Sequence, residues 1–139
     1  MVIDTSAIIA VLLNESTAVR IAQAIEAGSP RLLSVANLLE TSIVIESRKG
    51  EAGSRELDLF VYRAAIEPIA VDPDQMEIIR LAWRRFSKGR HPAGLNYGDC
   101  FAYALAKSRD LPLLFQGDDF SQTDIAAVRL PPAQTTSER

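Results

Sequence analysis

The 139-residue sequence has one cysteine, one histidine and no surplus of positive charge. One cysteine cannot form an internal disulfide, and one Cys with one His cannot build a zinc site of the usual type, so disulfide-framed secreted domains and zinc modules are excluded. The 18 acidic residues outnumber the 15 Lys and Arg residues, which gives a net charge of −3. Any contact with nucleic acid therefore has to be local or assisted by a metal ion, because bulk charge does not provide it.

Long apolar segments are missing as well. No run approaches the roughly 18–20 residues of a membrane helix, and the N-terminal MVID has no feature of a signal peptide. We therefore expect a cytoplasmic protein with no membrane partner. Apolar residues make up 47% and charged residues 24%, which predicts one packed domain. We place this domain at residues 1–130 and expect a flexible tail at residues 131–139, after a double proline.

Short apolar runs alternate with amphipathic stretches along the chain, which is typical of strands alternating with helices. This order predicts a three-layer α/β fold with a mainly parallel central sheet flanked by helices. Asp72 and Asn96 are predicted helix N-caps, and Gly28 and Gly89 are predicted helix stops. A further helix is predicted over residues 51–66. The predicted strands are residues 1–3, 31–33, 68–71, 112–115 and 126–130.

The helix that follows Asp72 has an apolar stripe formed by Met76, Ile79, Trp83 and Phe86. Residues at this spacing share one face of a helix, so we expect all four side chains to pack in the core. Core packing is therefore the favoured role of Trp83 and Phe86, and stacking on nucleic-acid bases is the alternative.

Acidic residues fall where the predicted parallel strands end, which is the edge at which such sheets bind ligands. Asp4 follows the first strand directly, and Asp118 and Asp119 follow the fourth. Asp99 lies in the first turn of a helix, where the helix dipole favours negative charge. Taken singly, these acids are explained by helix capping or by exposed loops.

Glu40 is predicted in a helix capped by Ser34, with Ala36, Ile43 and Val44 one turn away. These small or apolar neighbours place its carboxylate on or near the buried face. A buried Glu needs a partner, because removing its charge from water is costly. An arginine is the ordinary partner, and a metal ion is the alternative.

Considered together, the acids converge on one edge of the sheet and would concentrate the negative charge of the chain there. Carboxylates that lie close together repel each other unless they are protonated or a cation neutralises them. Sites made only of oxygen ligands select hard ions such as Mg²⁺ or Mn²⁺. The pattern therefore indicates a candidate divalent-metal site.

The strings MVIDTSA at residues 1–7, LNYGDC at residues 95–100 and LLFQGDDF at residues 113–120, with Glu40 between them, resemble the PIN-domain ribonucleases. The resemblance covers nearly the whole chain and is nearest to the VapC-type toxins of bacterial toxin–antitoxin pairs. It implies a PIN fold, endonucleolytic cleavage of RNA, a Mg²⁺ or Mn²⁺ cofactor, inhibition by a partner antitoxin, and a homodimer. The residues that match the metal site of the family are Asp4, Glu40, Asp99 and Asp118.

The resemblance also suggests a role for each acid in the metal site. Asp4 and Asp99 are expected to be the main metal ligands, and Glu40 with one later acid is expected to complete the shell, hold a second ion or orient the attacking water. The family varies in which acid after the last strand serves the site. We favour Asp118 here, with Asp119 as the substitute.

Neighbouring polar residues have two interpretations each. Thr5 or Ser6 is expected either to hydrogen-bond a ligand carboxylate or to cap the first helix. The only histidine, His91, is expected at the surface, and Cys100 is expected in the core rather than as a nucleophile. Neither residue is accompanied by the motifs of a nucleophilic hydrolase.

Basic residues cluster shortly before Asp99, at Arg84, Arg85, Lys88 and Arg90. The dipole at a helix C-terminus explains Arg85 and Lys88, but it does not explain Arg90. Because an acidic site repels RNA, we expect this segment to help bind the RNA backbone.

One alternative of another class stays open: a PIN-fold module that binds RNA or a partner without catalysis. The presence of all four acids argues against this alternative. Apolar stripes also exceed what a small core can cover, and some of their members are expected to form the dimer or antitoxin surface. The residues of these stripes are Leu12, Leu13, Leu38, Leu39, Leu57 and Phe60.

Overall fold

The computed structural model describes residues 1–133, and a four-stranded parallel sheet lies at its centre. Val2 pairs with Leu32 on one side and with Leu113 on the other. The sheet order is β3-β2-β1-β4. The strands are β1 (Val2–Ile3), β2 (Leu32–Ser34), β3 (Glu67–Ile69) and β4 (Leu113–Leu114). The predicted α/β class with a parallel sheet is confirmed.

Five helices connect and flank the strands: α1 (Thr5–Leu12), α2 (Ala18–Ala27), α3 (Val35–Arg63), α4 (Pro73–Phe86) and α5 (Tyr97–Arg109). Within residues 1–133, no helix combines the length and the apolar character needed to cross a membrane.

The predicted helix starts at Asp72 and Asn96 are confirmed. The Asp72 side chain accepts a hydrogen bond from the Gln75 backbone N–H at 2.8 Å, and Asn96 forms a reciprocal capping box with Asp99. Ser34 precedes α3 as predicted, but its hydroxyl makes no capping bond, so this part of the prediction is wrong. The Ser34 side chain is fully buried at the end of β2 instead.

The helices that were predicted separately after Ser34 and over residues 51–66 form the two halves of α3. Gly50 separates them, with φ 65° and ψ −159°. This left-handed backbone conformation suits glycine because it has no Cβ, and it kinks the helix at that point.

Alternate strand residues face opposite sides of the sheet, and this alternation divides the core into two apolar clusters. Val2 and Leu113 pack with side chains of α4 and α5. Ile3 and Leu114 pack with side chains of α1, α2 and the second half of α3. Helices therefore cover both faces of the sheet, which gives the predicted three layers.

The predicted strand at residues 126–130 is wrong, because only one parallel bridge forms there, between Leu113 and Ala127. The pairing cannot extend into Pro131 and Pro132, which have no backbone N–H. The Pro131 carbonyl instead accepts a hydrogen bond from Arg20 Nε at 2.7 Å. The rest of the predicted tail, residues 134–139, lies outside the described residues.

The apolar stripe of α4 is confirmed only in part. Ile79 and Phe86 are buried, whereas Met76 and Trp83 are exposed. The buried line of the helix runs through Gln75 instead of Met76. Periodicity alone could not distinguish these neighbouring positions, because packing against α5 sets the rotation of α4 about its axis.

Candidate active site

Asp4 lies between β1 and α1, at the carboxyl end of a central strand. It is only 3% exposed. Its Oδ2 accepts hydrogen bonds from the Ser6 backbone N–H at 3.0 Å and from the Ser6 hydroxyl at 2.6 Å. The Ser6 hydroxyl accepts a hydrogen bond from the Gln116 backbone N–H at 2.9 Å. Asp4 is thus a helix cap, and Ser6 fixes its carboxylate against the chain that follows β4.

Thr5 has a different role from Ser6. Its hydroxyl donates to the Asn37 backbone carbonyl at 3.1 Å and accepts from the Thr41 hydroxyl at 3.2 Å. Both bonds are buried and join α1 to α3. The Thr5 hydroxyl therefore joins α1, which Asp4 caps, to α3, which carries Glu40, and within the described residues this hydroxyl makes no bond to a carboxylate.

Asn37 is a site residue that the sequence analysis missed. Its amide nitrogen donates to the Gly98 carbonyl at 3.0 Å and, at a longer 3.4 Å, to Glu40 Oε1. Asn37 is fully buried, and its Oδ1 has no hydrogen-bond partner within residues 1–133. The available signal was its position three residues before Glu40, because residues at that spacing lie on the same side of a helix.

Glu40 is half-buried and packs directly against the backbone of α5 at Gly98. A Cβ at position 98 would lie 2.7 Å from Glu40 Oε1 and nearer still to Oε2. Position 98 therefore requires glycine because of close approach. Ile43, one of the predicted apolar neighbours, is exposed, so Glu40 lies at the border of the buried face.

Asp99 begins α5 and is 8% exposed. Its Oδ2 accepts from the Asn96 backbone N–H at 3.0 Å, while its own N–H donates to Asn96 Oδ1 at 2.9 Å. The pKa of Asp99 is raised to about 7, chiefly by burial; the charges of Asp4 and Asp119 add to the rise, and the backbone hydrogen bond from Asn96 opposes it. Its environment therefore disfavours the charged form.

Asp4 is in the same electrostatic situation. Its pKa is raised to about 6, chiefly by burial; the hydrogen bonds from Ser6 oppose the rise, and the charge of Glu40 adds to it. The four ion pairs within residues 1–133 all lie elsewhere, so no cationic side chain compensates these acids. The arginine partner considered for Glu40 is absent from the described residues.

The two adjacent acids after β4 are placed differently. Both are exposed, and of the two it is Asp119 whose charge raises the pKa of Asp99. The backbone carbonyl of Asp118 accepts from the Ser121 hydroxyl at 2.6 Å, and no hydrogen bond within residues 1–133 joins its side chain to the other acids. The buried ring of Phe120 anchors this turn. The structure thus brings together Asp4, Glu40, Asp99 and Asp119.

These acids act on each other through their charges, but they do not meet at a point. Within the described residues, no three Asp, Glu, His or Cys side chains lie close enough together to bind one ion as they stand. Carboxylate oxygens are the donors that hard divalent cations prefer.

The basic residues divide into two groups. Arg85 forms an ion pair with Asp124 at 3.7 Å, and its guanidinium lies 4.7 Å from the centre of the Phe86 ring. The other three predicted RNA-binding residues are exposed and form no ion pair within the described part of the chain. These three are Arg84, Lys88 and Arg90.

Neither Cys100 nor His91 is placed as a catalyst. Cys100 is buried in the core, as predicted, and burial together with the charge of Asp99 raises the pKa of its thiol to about 11. The thiol is therefore protonated and a poor nucleophile near neutral pH. His91 is half-buried, with its ring edge-on to Phe86 at 5.1 Å, so its predicted surface position is correct only in part.

The comparison with known proteins agrees with this geometry. Residues 1–126 match the PIN domain family. Ribonuclease VapC30 of Mycobacterium tuberculosis is 57% identical over 131 residues, which cover 94% of this chain and 100% of the relative. The fold is similar to that of M. tuberculosis VapC20, a sarcin-ricin loop cleaving toxin (TM-score 0.75, 17% identity, 92% of this chain and 98% of that chain). It is also similar to that of a chain in a toxin-antitoxin complex from Klebsiella pneumoniae (TM-score 0.66, 18% identity, 88% of this chain and 92% of that chain). The chain therefore belongs to the PIN-domain family and, within it, to the VapC ribonucleases.

Proposed function

We propose that this chain is a divalent-metal-dependent endoribonuclease that acts as the toxin of a toxin–antitoxin pair. The observation that carries the proposal is the pair of buried acids Asp4 and Asp99 at the carboxyl edge of the sheet. Their pKa values are raised to about 6 and about 7, and no cationic side chain of the described residues compensates them. Buried acids of this kind are typical of functional sites.

A Mg²⁺ or Mn²⁺ ion fits this donor set, which is made of carboxylate oxygens only. Asp4 and Asp99 would be the main ligands, because capping bonds hold both side chains in place. Glu40 and Asp119 would complete the shell, so we now favour Asp119 over Asp118 as the fourth acid. When bound, the ion supplies positive charge that offsets the phosphate and activates water for phosphodiester hydrolysis.

Residues around the acids position them for this task. Ser6 orients the Asp4 carboxylate through two hydrogen bonds. Asn37 links Glu40 to the Gly98 carbonyl, which keeps Glu40 beside the start of α5, where it is placed to orient an attacking water. Such supporting partners commonly affect metal affinity or activity by about 10–100-fold.

The substrate proposed is RNA, as the name ribonuclease given to the 57%-identical relative indicates. Arg84, Lys88 and Arg90 are exposed cations without an ion-pair partner in residues 1–133, and they lie shortly before α5 in the chain. We assign them to the RNA phosphates. Arg85 contributes less, because its guanidinium is held by Asp124.

Two protein partners are also proposed, an antitoxin and a second copy of the chain. The similar fold found in a toxin-antitoxin complex supports the antitoxin. Large apolar side chains are exposed along the first half of α3, at Leu39 and Ile43, and they offer surface for such contacts. Of the stripe residues predicted for this role, Leu39 is exposed, whereas Leu57 is buried in the core.

The proposal is tested by incubating the purified chain, freed of any partner, with total cellular RNA and Mg²⁺ or Mn²⁺. Parallel reactions contain EDTA or the Asp99→Asn variant, and the cut ends are mapped. We expect discrete cuts that require the metal and are lost in the variant. If the folded protein cuts no RNA with either metal, the non-catalytic PIN-fold module becomes the better proposal.

A further inference from the structure

A cleft of about 240 Å³ lies between α4 and α5, beside the acidic site. Its floor is apolar, because Ile79 and Cys100 are both buried in the core cluster. Its rim carries aromatic and cationic side chains. The six lining residues are Ile79, Arg80, Trp83, Arg84, Tyr97 and Cys100.

The two aromatic side chains at the rim are unusually open to solvent. Trp83 is 44% exposed and Tyr97 is 76% exposed. Tyr97 does not swing freely, because its ring packs edge-on against Phe101 with 4.9 Å between centroids. Exposed, supported rings of this kind provide stacking surfaces for unpaired bases, since every base has a π-face.

The charge around the cleft favours a phosphate-bearing ligand. Arg80 and Arg84 lie one helical turn apart on α4. Arg80 has only a weak, exposed ion pair with Glu77 at 3.5 Å, and Arg84 has none within residues 1–133. The phosphates of RNA carry the opposite charge, so they would pair with these arginines.

The position of the cleft ties it to the acids. Tyr97 and Cys100 lie on either side of Gly98 and Asp99 in the first turn of α5. Gly98 is the residue against which Glu40 packs. The cleft and Asp99 therefore share the first turn of α5.

We propose that the cleft between Trp83 and Tyr97 binds one unpaired base of the RNA next to the cleaved phosphodiester, with Arg80 and Arg84 holding the adjacent phosphates. This inference rests on the proposed ribonuclease function and names the part of the substrate that the protein reads. The cleft volume suits one ring system, because it is smaller than the roughly 300–1,000 Å³ pockets that take drug-sized ligands. The proposal thus makes cleavage selective for single-stranded RNA.

Trp83 is the only tryptophan of the chain, so its fluorescence reports on this cleft alone. The full-length Asp99→Asn protein is titrated in EDTA with short single-stranded RNA and with the same RNA carrying one abasic position in turn. We expect saturable quenching by the intact RNA and loss of quenching for one abasic position. A duplex of the same sequence is expected to quench weakly.

Matched variants in the same Asp99→Asn background separate stacking from general binding. Tyr97→Ala is expected to weaken RNA binding about tenfold or more, whereas Tyr97→Phe retains it. Tyr62→Ala removes an aromatic side chain that is 84% exposed on α3 and is expected to leave affinity unchanged. Arg84→Gln is expected to reduce the slope of affinity against salt.

The outcomes distinguish this inference from the ribonuclease proposal. If RNA binds without quenching Trp83, and Tyr97→Ala binds as tightly as its parent, the base lies elsewhere and the inference fails, although cleavage by the wild type stands. If Trp83→Leu changes the oligomeric state in sedimentation instead of RNA affinity, the cleft is an interface between copies. Absence of cleavage by the wild-type protein would count against the ribonuclease function alone.

Discussion

Two groups of acids in this protein differ in how their charge is balanced. Asp124 is surrounded by donors: the Tyr103 hydroxyl at 2.5 Å, Lys107 Nζ at 2.9 Å and Arg85 at 3.7 Å. Burial alone would raise the pKa of Asp124, but the hydrogen bonds from Tyr103 and Lys107 outweigh it and lower the pKa below its ordinary value. At the sheet edge, burial and neighbouring acids raise the pKa values of Asp4 and Asp99 instead.

This difference is the one we expect between a structural acid and a functional acid. The first group contributes to folding, because its charges are paired within the chain. The second is costly to the fold when ionised, since buried carboxylates without a cation are unfavourable. A site in which carboxylates are destabilised in this way is suited to bind a cation, because the cation offsets the cost of ionising them.

The largest contrast is expected in RNA cleavage between Asp4→Asn and Asp124→Asn. Asp4→Asn should lower the initial rate by more than about 100-fold, because even supporting partners of metal ligands cost about 10–100-fold. Asp124→Asn should stay near the wild-type rate, because the charge of Asp124 is paired with cations within the chain and this residue lies outside the proposed site. Equal losses in the two variants would remove the distinction between the groups.

Two tightly packed glycines, one beside the acids and one away from them, test the role of Glu40. Gly98→Ala should reduce cleavage about 10–100-fold, because the new Cβ displaces the Glu40 carboxylate. Its melting temperature should change little, since the displaced atoms end a flexible side chain. In the control Gly53→Ala, the new Cβ would lie 2.5 Å from Lys49 Cβ and 3.0 Å from Ile45 Cγ2, so stability should fall while cleavage persists. The reverse pattern would contradict the role of Glu40.

The pH dependence of stability should have opposite signs at the two groups. A carboxyl whose folded pKa is raised keeps more protons in the folded state, so the stability it contributes falls as pH rises from about 4 to about 7. For Asp4, whose pKa is raised to about 6, the loss corresponds to roughly 1–3 kcal/mol. Asp124, whose pKa is lowered, adds stability that is lost as pH falls through its folded pKa.

Calorimetry in EDTA measures this effect. The wild-type protein should be less stable at pH 8 than at pH 4.5, and Asp4→Asn should flatten that decline. Mg²⁺ or Mn²⁺ at pH 8 should restore stability to the wild type but not to Asp4→Asn. Restoration of the variant to the same degree would place the ion away from Asp4.

A smaller effect, about tenfold in cleavage, is expected from the acids after β4. Asp119→Asn should lose this activity because its carboxyl is the one that acts on Asp99. Asp118→Asn is the matched control, one residue away and equally exposed, and should remain near the wild-type rate. If only Asp118→Asn lowers the cleavage rate, Asp118 is the fourth acid of the site instead of Asp119.

Much of the fold could be predicted from the sequence, because its signals are local. Asn96 and Asp99 satisfy each other within one turn, and Asp72 with Pro73 starts α4 without help from distant residues. The errors arose where tertiary packing decides. The rotation of α4 leaves Trp83 exposed although it belongs to the apolar stripe.

The candidate site follows the same rule. Asp4 and Asp99 could be predicted because one ends a strand and the other begins a helix. The choice between Asp118 and Asp119 could not, because both follow β4 and only the turn anchored by Phe120 distinguishes them. Asn37 escaped notice because its contacts with Gly98 join residues 61 positions apart in the chain.

The smallest effect is expected from Tyr103→Phe, which removes one donor from Asp124. Lys107 and Arg85 remain as partners and Asp124 is partly exposed, so the loss should be about 1 kcal/mol, or roughly 4 °C in melting temperature. Cleavage and the stabilisation by Mg²⁺ should be unchanged. Asp124 lies five residues after Asp119, however, and its bonds tie that loop to α5. A cleavage loss of more than tenfold in Tyr103→Phe would therefore mean that the balanced group positions Asp119, and the two groups would then act as one site.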